Sequence, residues 1–142
     1  MTSKDELDLQ DLQALSDFRY NIRRFLRASE VILRQQGLKP QQYQMMLHLK
    51  AMPDGVPRTV GQVAERLQLQ HHSTVELADR LCARGFVRRK RAGEDRRHVL
   101  LELTPKGEKL LMQMAAMHRD ELRNTGAALV GALKKILATQ KD

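Results

Sequence analysis

The chain has 142 residues, 42% hydrophobic and 4% aromatic, with one cysteine and a formal net charge of +8. This length suits one domain with its own core, and no stretch approaches the ~20 apolar residues of a membrane span. The lone Cys82 excludes an internal disulfide framework and fits a reducing, cytoplasmic location, and the polar, acidic start Met-Thr-Ser-Lys-Asp-Glu does not read as a signal peptide.

Leu9 to about Gln36 reads as one long helix. Leu12, Leu15, Phe18, Ile22, Leu26, Val31, Ile32 and Leu33 recur at close to helical spacing, and Gly37 ends it. Pro40 opens a second helix carrying Met45, Met46, Leu47 and Leu49, and the loop Met52-Pro53-Asp54-Gly55-Val56-Pro57 breaks it. Thr59-Val60-Gly61-Gln62 has the form of a capping box and starts a short helix with Val63, Ala64 and Leu67 apolar. After the tight connection Leu69-Gln70-His71, a helix runs from about His72 to Arg84, with Leu77, Ala78 and Leu81 inward and Gly85 as its stop.

Phe86 to Arg91 and Arg97 to Leu103 alternate as the two strands of a hairpin whose charged turn is Ala92-Gly93-Glu94-Asp95-Arg96. Thr104-Pro105 is a strong helix start. The helix that follows is expected to end near Arg123, and a sixth helix is expected from about Gly126 to Thr139, carrying Leu129, Val130, Leu133, Ile136 and Leu137. The expected fold is therefore mainly α with a small β-hairpin wing: a winged helix-turn-helix of six helices. Residues 39–104 would form the DNA-binding domain. Residues 1–38 and 105–142 would form a helical dimerisation region, because the outer helices are longer than one small domain needs and two-fold symmetry matches a palindromic site.

Charge is concentrated on the same region. From Arg80 to Lys106 there are nine Lys or Arg against the acids Glu94, Asp95 and Glu102, so +6 of the +8 falls in about a fifth of the chain. Such clustering is the electrostatic footprint of a polyanion site. In a helix-turn-helix the start of the second helix meets base edges in the major groove. Here that start brings His71, His72, Ser73 and Glu76, with Arg80 one turn on. Ser and neutral His can both donate and accept. Glu76 could accept from cytosine N4 or simply pair with Arg80 four residues later. On the wing, Arg88, Arg89, Lys90, Arg91 and Arg96 suit phosphate contacts. An Arg at the tip can fill the narrow, electronegative minor groove, with Asp95 bracing Arg97 by a charge-assisted hydrogen bond.

Three segments resemble the MarR family of bacterial regulators. They are Thr59-Val60-Gly61-Gln62-Val63-Ala64-Glu65-Arg66-Leu67, then Leu81-Cys82-Ala83-Arg84-Gly85-Phe86-Val87, then Asp95-Arg96-Arg97-His98-Val99-Leu100-Leu101-Glu102-Leu103-Thr104-Pro105-Lys106-Gly107. Asp-x-Arg followed by an alternating strand and Leu-Thr-x-x-Gly is the most specific part. Gly37-Leu38-Lys39-Pro40-Gln41-Gln42-Tyr43 resembles the family's entry to its second helix. The resemblance spans about residues 10–138. It implies an obligate homodimer built by the terminal helices, major-groove reading by 72–84, minor-groove insertion of Arg97 braced by Asp95, and a small-molecule effector in many relatives. The His71-His72-Ser73 start and Glu76 depart from many members, which leaves the DNA sequence open.

The remaining signals are weaker. Cys82 reads as a buried, inert thiol, with a redox role kept open by Arg80 and Arg84 nearby. His48, His71, His72, His98 and His118 have no metal spacing, so no metal or cofactor is expected. Met45, Met46, Met52, Met112, Met114 and Met117 read first as core filling and second as a deformable ligand pocket. No phosphate loop, nucleophile elbow or metal motif is present, so an enzyme is not expected. The alternative function is a winged-helix protein-interaction or RNA-binding module, to be told apart by salt-sensitive, sequence-selective duplex binding.

Overall fold

The computed structural model describes residues 6–91 and 99–138. Seven elements follow in order: α1 (Leu9–Arg34), α2 (Pro40–Ala51), α3 (Val60–Leu67), α4 (His71–Ala83), β1 (Val87–Arg91), β2 (Val99–Leu103) and α5 (Pro105–Ala138). The expected sequence of helices and hairpin is present, with one correction. The two expected C-terminal helices are a single helix of 34 residues, so the described helices number five. Gly126 does not break it, because a lone glycine costs a helix only ~1 kcal/mol. Thr125 does not cap a new helix either: its hydroxyl donates to the Glu121 carbonyl one turn back, at 2.9 Å.

The chain divides into two compact units. One comprises residues 32–116; the other comprises residues 1–31 together with 117–142. The divisions fall inside α1 and α5, further out than the boundaries at 38/39 and 104/105 read from the sequence. The reason lies in the core of the 32–116 unit, where the fully buried Leu33 of α1 and the buried Leu111 and Met114 of α5 pack with Met45, Met46, Val63, Leu77, Leu81, Phe86, Val87 and Leu101. Met45, Met46, Met52 and Met114 thus fill core, whereas Met112 and Met117 are exposed.

Three helices of this unit end in the same hydrogen-bond pattern, in which one amide reaches back over six residues and the next inner one over four. Leu38 N–H and Gly37 N–H close α1 on Leu33 and Arg34. Leu69 and Gln68 close α3 on Ala64 and Glu65, and Phe86 and Gly85 close α4 on Leu81 and Cys82. Gly37 (φ 65°) and Gly85 (φ 78°) provide the left-handed residue that this turn requires.

The hairpin is antiparallel, pairing Val87 with Leu103, Arg89 with Leu101 and Arg91 with Val99. A short third segment joins it: Thr59 bridges Leu100, and Leu101 N–H donates to the Arg58 carbonyl at 2.8 Å. Arg58 also donates to the last carbonyls of α2, Leu49 at 2.6 Å and Met52 at 3.2 Å, where a cation offsets the helix dipole. The Thr59 cap is one-sided. Its hydroxyl accepts from Gln62 N–H at 3.2 Å, and among the described residues the return bond of a capping box is not formed.

Strand and helix meet most tightly at Phe86. Thr104 N–H donates to the Phe86 carbonyl at 3.1 Å. The Thr104 hydroxyl donates to the Gly85 carbonyl at 2.6 Å and accepts the Gly107 N–H at 3.0 Å, capping α5. A Cβ on Gly107 would lie 2.0 Å from the Phe86 carbonyl oxygen, well inside contact distance. This accounts for the Leu-Thr-x-x-Gly spacing: the threonine caps the helix, and the glycine lets the helix start touch the strand backbone.

The unit of residues 1–31 and 117–142 is built differently. Its only buried hydrophobic residues, among those described, are Ala14 and Ala132, joined by the buried pair Ser29 Oγ and His118 Nε2 at 2.6 Å. Leu9, Leu12, Leu15, Leu26, Leu122, Val130, Leu133 and Leu137 stay exposed.

Gly107→Ala should destabilise the fold by ~2–3 kcal/mol, as overpacking against backbone does, measured by chemical denaturation. A second expectation concerns His48, whose pKa burial, helped by Arg66, holds below its ordinary value of 6.5. The unfolded chain then binds this proton more tightly than the native one. Stability from this group is full above the unfolded value and is lost as pH falls through the folded value. His48→Gln should flatten the acid-side loss of melting temperature that begins below about pH 6.5.

Candidate nucleic-acid interface

Within the 32–116 unit, α4 packs against α3 and against β1 of the hairpin. At 100° per residue, Thr74, Leu77, Ala78 and Leu81 share one face of α4, and all four are buried. The opposite face carries His72, Glu76 and Arg80, which are exposed, and Ser73, which is half-buried. His71 is exposed at the first position. The Thr74 hydroxyl donates to the Gln70 carbonyl at 2.9 Å, while Gln70 provides no side-chain cap. The first amides of α4 thus have no side-chain acceptor in the cap, the arrangement that favours an anion at a helix start. Glu76 and Arg80 do not form the helical ion pair considered for them: that pair is absent from the salt bridges of the described residues.

The turn itself depends on Gln68, which sits in the left-handed region at φ 55°. Its amide side chain donates to the Glu65 carbonyl at 2.7 Å and holds it there. Most helix-ending left-handed positions are glycine, because a Cβ costs ~1 kcal/mol or more in that conformation.

The four cations of β1 fall into two groups. Arg88 pairs across the strands with Glu102 at 2.5 Å. Arg89 pairs with Asp79 of α4, and its guanidinium also lies 3.6 Å from the Cys82 sulfur. Cys82 is half-buried against the core, rather than fully buried as expected. Lys90 and Arg91 are exposed, without an ion-pair partner among the described residues. Asp95, Arg96 and Arg97, expected to form the wing tip, lie outside the described residues, as does His98.

Behind this surface, Arg84 fastens the end of α4. It donates to the Gly37 carbonyl at 2.8 Å and to that of Gln36 at 3.4 Å. Its guanidinium sits 4.9 Å over the Phe86 ring, whose other contact is the Lys106 ammonium, also at 4.9 Å. Sequence reasoning overlooked Arg58 and Asp79, and considered Arg84 only for its effect on Cys82. Asp79 could have been found by helical spacing, since it lies seven residues, or two turns, after His72 on the same exposed face. No local pattern announces the roles of Arg58 and Arg84. Among the described residues, no group of His, Cys, Asp and Glu could hold a metal, and no helix is long and apolar enough to cross a membrane.

A buried-backed helix following a tight turn, beside a basic hairpin bridged by a third strand segment, defines a winged helix-turn-helix. Residues 36–98 match the family model described as MarR family. The chain is 28% identical over 93 residues to the HTH-type transcriptional regulator YsmB of Bacillus subtilis, an alignment covering 66% of this chain and 62% of that relative's length. Its fold is similar to that of AbsC, a MarR family transcriptional regulator from Streptomyces coelicolor. The TM-score is 0.74 at 20% identity, covering 84% of this chain and 80% of AbsC. It is also similar to a mutant of S. aureus MepR bound to an oligodeoxyribonucleotide, with TM-score 0.65 at 22% identity over 87% and 95% of the two chains. Residues 36–98, somewhat under half of the chain, are thus similar in sequence to the MarR family, and the described fold is similar to the winged helix of MarR family structures.

Gln68→Gly should leave the helix-turn-helix in place and raise stability by ~0.5–1 kcal/mol, the strain relieved outweighing the added freedom of the unfolded chain. A lower melting temperature for this variant would show that the Gln68 side-chain bond to Glu65 outweighs the strain.

Proposed function

We propose that this protein is a transcriptional regulator that binds double-stranded DNA sequence-specifically as a homodimer on a palindromic operator. The observation that carries the proposal is the α4 surface: a helix anchored by four buried residues, whose opposite face presents His72, Ser73, Glu76 and Arg80 beside the cations of β1. In this reading α4 enters the major groove, His71, His72 and Ser73 meet base edges, and Glu76 selects against wrong bases rather than adding affinity. Lys90 and Arg91 contact phosphate. In the same reading Arg96 and Arg97 would reach toward the minor groove, with Asp95 as the brace expected for Arg97. That a MepR mutant is known bound to an oligodeoxyribonucleotide supports the same mode of use.

Dimerisation is supported by the terminal helices. Their unit buries only two alanines among its described hydrophobic residues while exposing Leu12, Leu15, Leu26, Leu122, Leu133 and Leu137, so it lacks a sufficient core of its own. So many exposed large apolar side chains on one unit favour an association site. Two copies of α4 would then read successive major grooves about one helical turn apart. A small-molecule effector would act by favouring a dimer in which the two α4 helices no longer match that spacing. The most direct output of an operator-bound dimer is repression, by obstruction of polymerase.

The test is fluorescence anisotropy with duplex DNA from upstream of the protein's own coding sequence and a shuffled control, across a salt series. The expected result is preference for the upstream duplex with affinity falling steeply as salt rises. His72→Ala should relax base preference at one position per half-site by about 1–3 kcal/mol. Leu133→Glu should convert the dimer to monomer in sedimentation analysis and remove operator preference with it. Absence of duplex binding, or preference for single-stranded RNA, would overturn the proposal.

A further inference from the structure

Two of the four cations on β1 are already occupied. Arg89 meets the Asp79 carboxylate on α4, and Arg88 meets the Glu102 carboxylate on β2. Neither pair is buried: the side chains are 39% and 59% exposed for Arg89 and Asp79, and 60% and 31% for Arg88 and Glu102. Exposed ion pairs contribute little to stability and exchange readily, so as struts they would be weak. Their position is more informative. Asp79 shares the exposed face of α4 with His72 and Glu76, and Glu102 shares a strand face with Leu100 and is paired in register with Arg88. If α4 reads DNA, Asp79 lies on the face turned to the duplex, and Glu102 lies on the wing, on the sheet face opposite the buried Leu101.

We infer that Asp79 and Glu102 act as internal stand-ins for DNA phosphate, holding Arg89 and Arg88 in reserve. The inference rests on the duplex-binding reading above and adds a device that controls its strength. A carboxylate and a phosphate offer a guanidinium the same paired oxygen acceptors. On approach to DNA each arginine exchanges one anion for the other, and the exposed carboxylate left behind faces the backbone. The net gain from each arginine is smaller than from an unpaired cation. Phosphate contacts carry no sequence information, so this brake falls on non-specific binding and leaves base contacts at His72 and Ser73 untouched. Lys90 and Arg91, without a carboxylate partner among the described residues, provide the standing attraction.

The experiment measures binding of the full-length protein to a random-sequence duplex across a salt series, for wild type, Asp79→Asn, Glu102→Gln, Arg89→Gln and the double variant Asp79→Asn/Arg89→Gln. Asp79→Asn and Glu102→Gln should each bind tighter, by about two- to fivefold at low salt. Each should also show a salt slope steeper by about one unit, as one more counterion-releasing contact is gained. In the Arg89→Gln background, Asp79→Asn should leave the slope unchanged. Melting temperatures of all variants are compared to separate folding from binding. Weaker or unchanged binding of well-folded Asp79→Asn and Glu102→Gln would overturn the inference, because the bridges would then be positioning struts. An equal gain from Asp79→Asn with and without Arg89 would also overturn it, because simple charge removal would suffice. No salt-dependent duplex binding by wild type would instead remove the functional reading itself, and this inference with it.

Discussion

The winged helix depends on the close approach of the α5 start to the backbone of Phe86. Gly107 has no Cβ because the Phe86 carbonyl occupies that space. Thr104 uses its amide and its hydroxyl to tie β2 and α5 to Gly85 and Phe86. Gly85 turns α4 into β1 through a left-handed residue. The end of the α4 helix, the first residue of the wing and the start of α5 are thereby held by one set of short-range bonds. Lys106 completes it by donating to the Arg84 carbonyl at 3.1 Å. A shift of this junction would move the hairpin relative to α4, and so the basic strand relative to the face of His72 and Glu76.

Two kinds of polar interaction divide the labour around that junction. Bonds to backbone carbonyls, from Arg58 to α2 and from Arg84 to the Gly37 turn, satisfy helix ends that would otherwise be left without donors. They fix geometry. The carboxylate pairs on Arg88 and Arg89 sit at the solvent edge and hold charges that a competing anion can take. As exposed ion pairs they contribute little to the stability of the fold. The same residue type thus serves both ends: Arg84 and Arg58 are committed to architecture, whereas Arg88 and Arg89 remain available. The basic count from Arg80 to Lys106 therefore overstates the number of free cations on the surface.

Much of this architecture was legible because it is written in short-range chemistry. Gly37, Gly85 and Thr104-Pro105 close or open helices through bonds that span at most six residues, so their meaning survives in the linear sequence. The alternation of Val99, Leu101 and Leu103 likewise reports a strand with one covered face, and Leu101 is fully buried. The inward set on α4 was also readable from spacing alone. The misreading at Gly126 has the same origin: a glycine is a local stop signal only when the backbone adopts a left-handed turn there, and here helix propagation on both sides prevails.

The order of elements, the face of α4 turned to the core and the concentration of positive charge beside it are properties of the linear chain. They follow from hydrogen bonds and side-chain periodicity within a few residues. Which cations are paired is a property of the folded chain alone, because Asp79 meets Arg89, and Glu102 meets Arg88, only once the hairpin folds back over α4 and on itself. The same holds for Arg58, which caps α2 while its segment extends the sheet. Folding also separates the apolar stripe of the long helices into a buried part, Leu33, Leu111 and Met114, and an exposed part that includes Leu12, Leu15, Leu133 and Leu137. Helical period marks which residues share a face, but whether that face is covered depends on what the rest of the chain, or a second copy, brings to it.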